Sequence, residues 1–129
     1  MRFIFFLFII SVSAKSQKAF KWPGNKKAAI VLTYDDALQS QLDIAIPQLN
    51  LFHFKGTFFL TGTLTEKDIV RWRNAAKNGH ELGNHTLFHP CSGSVIPSAS
   101  HYRSETYSAA IILREISVMN NFLFEMITN

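Results

Sequence analysis

The sequence predicts an α/β fold built on a parallel sheet. Short apolar runs, rich in β-branched or aromatic residues, alternate with stretches of helical spacing, and turn-forming residues mark the boundaries between them. A length of 129 residues suits one modest core and not two domains. Apolar content of 47% against 17% charged residues suits a globular chain and excludes a disordered one.

The first element is separate from the fold. Arg2 gives a positive start, Phe3 to Val12 is almost wholly apolar, and Val12-Ser13-Ala14 places small residues where a signal peptidase cuts. About ten apolar residues are too few to cross a bilayer as a helix. Residues 1–14 therefore read as a signal peptide, with an uncleaved membrane anchor as the alternative. Both readings put the body of the protein outside the cytoplasm, secreted or periplasmic. Residues 15–25 form a leader. Five lysines (Lys15, Lys18, Lys21, Lys26 and Lys27) crowd this region without an aromatic or Gly-rich RNA-binding pattern, so no nucleic-acid partner is expected.

Trp22-Pro23-Gly24-Asn25 is dense in turn formers and marks the entry to a domain spanning 26–129. Ala28 to Tyr34 is a continuous apolar run, as expected of a strand buried on both faces. Leu42, Ile46 and Leu49 give helical spacing over about residues 38–50, with Pro47 set to kink or shorten that helix. Lys55 to Leu60 is the next strand, completing a βαβ unit. Thr65 then reads as a helix N-cap, with Glu66 and Asp68 in the positive first turn. Ile69, Trp72 and Ala76 line one face of that helix, and Asn78-Gly79 ends it. A short third strand, Glu81 to Asn84, runs straight into His85. Ser, Gly and Pro mark a loop over 91–101. A last helix over 104–128 carries an apolar stripe at Ile112, Ile116, Met119, Leu123 and Met126.

In parallel α/β sheets, functional groups gather just past the C-terminal ends of strands. Asp35-Asp36 follow the first strand and His85 follows the third, with His89 four residues on. Adjacent residues leaving a strand point in different directions, so one aspartate can bind a cation while the other takes a proton. A helical turn over 85–89 would bring both imidazoles to one side. Two imidazoles and one carboxylate form a zinc set with coordination sites left open, and zinc lowers the pKa of a bound water towards roughly 7.

These motifs resemble the polysaccharide deacetylases, the NodB-homology domains of carbohydrate esterase family four. Thr33-Tyr34-Asp35-Asp36 is similar to the family's Thr-Phe-Asp-Asp-Gly, with Ala37 in place of the glycine. An alanine there asks that residue 37 avoid positive φ. His85-Thr86-Leu87-Phe88-His89-Pro90 is similar to the family's second motif, His-Ser/Thr-x-x-His. Lys55 to Leu60 and Asn78 to His85 also look like the family. The resemblance implies a distorted (β/α) barrel, here its N-terminal part, because the later motifs have no counterpart after His89. Arg103 lacks their proline context, and His101 sits too early for the late acid.

The resemblance further implies a hydrolase acting on carbon–nitrogen, non-peptide bonds. Asp35 would be the base, Asp36, His85 and His89 the ligands of Zn2+ or of Co2+ or another divalent metal, and Thr86 a brace for the loop between the histidines. The substrate would be an acetylated polysaccharide or oligosaccharide, such as a chitin-like oligomer, peptidoglycan or xylan, losing an N-acetyl or O-acetyl group. Two readings compete: a non-catalytic metal- or glycan-binding remnant, and an interaction module in which the clusters are accidental. The remaining residues read plainly. Cys91 has no internal disulfide partner and suits a turn, with a thiol beside the metal as the alternative. His53, His80 and His101 read as packing or surface groups, and Trp22 and Trp72 as cover for a core.

Overall fold

A computed structural model of the chain describes residues 21–95 and 102–128. The expected signal peptide, most of the leader and His101 lie outside the described residues. The chain divides into two compact units, one ending at Ile30 and the other beginning at Val31. In the first, Pro23–Asn25 makes a single 3-10 turn closed by Lys26 N–H on the Pro23 carbonyl at 3.4 Å.

The second unit holds the sheet. Strands β1 (Thr33–Tyr34), β2 (Thr57–Leu60) and β3 (Glu81–Asn84) run parallel in the order β1-β2-β3. Thr33 pairs with Thr57, and Thr57 with Glu81. The parallel α/β expectation holds, and the first strand needs correction. Among the described residues it lies at the sheet edge with β2 alone beside it, two of its residues pair, and Val31 is 77% exposed instead of buried on both faces. β2 is the central strand. It alternates, sending Phe58 and Leu60 into the core with no exposed surface. Gly83 pairs with Phe59, and a Cβ at Gly83 would lie 2.5 Å from the Phe59 ring, so only glycine leaves room for it.

The helix after β1 departs from regular geometry where Pro47 dictates. Gln41–Ala45 forms a π turn, in which Ile46 N–H reaches the Gln41 carbonyl, and helix α1 (Ile46–Leu51) follows with Pro47 in its first turn. In an uninterrupted α-helix the proline ring would collide with the Asp43 carbonyl and leave it without a donor. The wider turn absorbs that conflict.

Helix α2 (Glu66–Lys77) starts where Thr65 is expected to cap it. Asp68 N–H donates to Thr65 Oγ1 and Thr65 N–H to Asp68 Oδ2, a complete capping box. Gly79, at φ 88°, follows its C-cap. After a 3-10 turn at Ser104–Thr106, helix α3 (Ala109–Thr128) begins later than the spacing suggested. Met119, Leu123 and Met126 are buried as expected, whereas Ile116 is exposed and the buried neighbour one position earlier is Glu115. Leu42, Ile46, Leu49, Phe58, Trp72 and Met119 meet in one core. Among the described residues no helix is long and apolar enough to cross a membrane.

Candidate metal centre

Both acidic and imidazole clusters sit directly past the C-terminal ends of parallel strands, at the same end of the sheet. β1 ends at Tyr34, and Asp36 and Ala37 then make a turn with both residues at positive φ, 74° and 54°. The expectation that Ala37 avoids that region is wrong: the turn needs the left-handed conformation, and alanine adopts it against its preference. Gln41 stabilises the turn from the start of the π segment. Its side chain is 6% exposed, and Nε2 donates to the Asp35 carbonyl at 2.5 Å.

On the other strand, the ladder continues one residue past β3, with His85 N–H donating to the Leu60 carbonyl at 3.0 Å. The chain then reverses through Thr86 at φ 65° and His89 at φ 49°. The helical turn expected over 85–89 is thus replaced by a tighter turn with left-handed residues. Thr86 N–H donates to Asn84 Oδ1 at 2.7 Å, and His89 N–H donates to Thr86 Oγ1 at 2.9 Å. Gly62 N–H holds the Leu87 carbonyl at 2.8 Å. The hydroxyl of Thr86 spans the turn as the brace that its family position implies.

The outcome is a convergence of three side chains. His85 Nε2 lies 3.4 Å and His89 Nε2 3.8 Å from Asp36 Oδ1, and one ligand atom from each of the three residues falls within 4.8 Å of the others. The imidazoles stack with centroids 4.4 Å apart. Two atoms bound tetrahedrally to one zinc at ordinary N and O bond lengths are about 3.4 Å apart. The donor set is compatible with one divalent ion after a small closure, through borderline imidazole nitrogens and a carboxylate oxygen. His89 Nδ1, the ring atom facing away, lies 3.5 Å from Cys91 Sγ, which orients the ring.

Asp35 stands apart from this group. It is exposed, and its carboxylate makes no ion pair or hydrogen bond among the described residues. His80 and Trp72 belong to the interior. His80 is 4% exposed between Gly56 N–H and Asn50 Oδ1, and Trp72 is fully buried. His53 is exposed. Sequence reasoning missed Gln41, Asn84 and Glu115, which support the two turns without being ligands. A glutamate inside an otherwise apolar helical stripe was the available signal for the last of them.

Known proteins resemble this chain in sequence and in fold. A family model described as polysaccharide deacetylase matches residues 23–128. A peptidoglycan-N-acetylglucosamine deacetylase of Bacillus cereus is 34% identical over 100 residues, covering 77% of this chain and 35% of that protein. A gellan lyase of a Bacillus species is also 34% identical, over 95 residues, but these are 4% of its length and 74% of this chain. The chain thus spans 35% or less of the length of these relatives. Among solved structures, the Bc1960 peptidoglycan N-acetylglucosamine deacetylase superposes with a TM-score of 0.58 at 24% identity, over 76% of this chain and 41% of that one. The peptidoglycan deacetylase PdaC from Bacillus subtilis gives 0.56 at 22% identity, over 74% and 42%. At such identities the likeness establishes the fold: part of the distorted barrel of these proteins.

Proposed function

This chain belongs to the polysaccharide deacetylase family, and from that premise we propose that it carries the metal-binding part of a deacetylase acting on an acetylated polysaccharide. The substrate class we favour contains N-acetylglucosamine, as in the substrate named for the Bacillus cereus relative. An apolar N-terminus expected to direct export suits a polymer outside the cytoplasm. The observation that carries the reading is the meeting of Asp36, His85 and His89 within 4.8 Å, from turns after two different strands.

In this reading Asp36, His85 and His89 hold one divalent cation, zinc or cobalt. Such an ion supplies Lewis acidity towards an acyl carbonyl and makes water a better nucleophile near neutral pH. Asp35, adjacent in sequence and free of competing partners among the described residues, takes the proton from the attacking water. Water adds to the acyl carbon, the proton held by Asp35 passes to the departing nitrogen as the carbon–nitrogen bond breaks, and acetate and a sugar amine leave. Thr86 holds the His89 backbone N–H, and Cys91 lies beside the His89 ring.

The test is cobalt and zinc titration of the purified chain by calorimetry, followed by measurement of acetate released from N-acetylglucosamine oligomers. One ion should bind per chain, and Asp36→Ala, His85→Ala and His89→Ala should each abolish tight binding. Asp35→Asn should keep the ion and lose acetate release. A chain that takes up no ion at micromolar concentration ends the proposal. The 35% span of the Bacillus cereus relative favours a second reading, metal and glycan binding without turnover by these residues alone. Cobalt uptake with no acetate from any of these oligomers would select it.

A further inference from the structure

We infer that Glu115 is a positioning residue for the metal centre: from helix α3, its carboxylate fixes the Phe88 amide and so holds the turn that carries His85 and His89. This rests on the metal-binding reading above. A glutamate is almost never fully buried unless it is paired, because removing its charge from water is costly. Glu115 is only 6% exposed, on the helix face that otherwise packs Met119, Leu123 and Met126 into the core. A leucine there would continue the apolar stripe, so the charge needs a reason.

Its partners supply one. Glu115 Oε2 accepts the Phe88 N–H at 3.1 Å, across 27 positions of sequence. Tyr107 lines the same pocket as this carboxylate, and burial first, with the Glu115 carboxylate second, pushes its hydroxyl up to about 12. Charge-assisted bonds of this kind are stronger than neutral ones. Phe88 lies between Thr86 and His89, both held at positive φ. Residues in this region are disfavoured and persist only where the surroundings over-determine them.

Consider what restrains this turn. The acceptors for Thr86 N–H and His89 N–H, Asn84 Oδ1 and Thr86 Oγ1, are local and would move with the loop. Gly62 fixes the Leu87 carbonyl from the end of β2. Glu115 fixes the next amide from the opposite side, on a rigid helix. Asn84 adds a second grip on α3 through Ile116 O at 2.9 Å and Asn120 Oδ1 at 2.7 Å. The turn is thus clamped between β2 and α3, one residue before the His89 imidazole. Groups that orient metal ligands from outside typically change affinity by 10–100-fold when removed.

The experiment uses the full chain and Co2+ as the probe, with Glu115→Gln, Glu115→Leu and Glu115→Met. The two apolar variants guard against a folding failure of either one. Glutamine retains an oxygen for the Phe88 N–H, so its cobalt affinity and visible spectrum should match the original closely. The leucine and methionine variants should bind cobalt at least about tenfold more weakly, with an altered spectrum. In metal-free protein, amide exchange at Phe88 should be slow in the original and in Glu115→Gln and fast in the apolar variants. Unchanged affinity, spectrum and Phe88 exchange in Glu115→Leu overturns the inference, and so does a glutamine variant as impaired as the apolar ones. If the unsubstituted protein takes up no cobalt, the metal-binding reading has failed, while Phe88 exchange still decides whether Glu115 holds the turn.

Discussion

In the interior, Phe58 packs on Trp72 with ring centroids 5.3 Å apart, both side chains have no exposed surface, and α2 starts on a complete capping box. The two turns carrying the candidate ligands look different. Asp36, Ala37, Thr86 and His89 account for four of the six non-glycine residues at positive φ among those described. One region accumulates apolar contact in relaxed geometry, whereas the other is strained, partly exposed and held by single polar bonds from neighbouring elements. Strain of that kind gathers at functional sites because the local conformation is selected for placement of side chains and not for stability. The contrast makes a prediction about where each type of substitution acts.

The largest effect belongs to the interior. Trp72→Ala removes the largest fully buried side chain and should cost about 3–5 kcal/mol in urea unfolding. Trp72→Phe should cost much less. The indole N–H is buried without a partner among the described residues, so its loss offsets part of the missing volume. A Trp72→Ala protein of undiminished stability would remove the distinction between the two regions.

The opposite sign is expected at the turn after β1. Ala37 at φ 54° is an L-residue where glycine is favoured, and Ala37→Gly should stabilise the protein by about 1 kcal/mol despite the added freedom of the unfolded chain. Metal affinity should be preserved or slightly reduced, since a more flexible turn holds Asp36 less firmly. A loss of stability on introducing glycine would show that the turn is not strained there.

These two positions also show what the sequence could reveal. The Trp72 face of α2, the Thr65 cap and the strand-end location of Asp35-Asp36 and His85 follow from periodicity, capping chemistry and sheet topology, which are local properties. The conformation of Ala37 does not, because alanine gives no sign of positive φ and the demand comes from the neighbouring turn. Val31 likewise carries a strand signal, yet its exposure depends on which strands lie beside β1. The π turn before Pro47 was half legible, since the proline announced a fault but not its form. Glu115 marks the limit most clearly. A single charge in an apolar stripe reads as an exception until the fold brings Phe88 to it.

The smallest expected effect is a pH dependence seated in the interior. Burial, followed by the nearby Lys55 ammonium, lowers the proton affinity of His80 below the ordinary 6.5 of histidine. Its Nδ1 faces the Gly56 N–H at 3.2 Å and Nε2 the Asn50 Oδ1 at 3.1 Å, a pattern that the neutral ring satisfies by accepting at one nitrogen and donating at the other. Protonation would set a donor against the Gly56 donor at the start of β2. Because the folded protein binds this proton less readily than the unfolded chain, stability is complete above pH 6.5 and declines as the pH falls below it. The measurement must isolate the contribution of His80 itself. Urea unfolding at pH 7.5 and 5.5 should show a smaller loss for His80→Gln than for the unsubstituted protein. Equal losses would mean that the acid sensitivity arises elsewhere and that the interior is indifferent to protons.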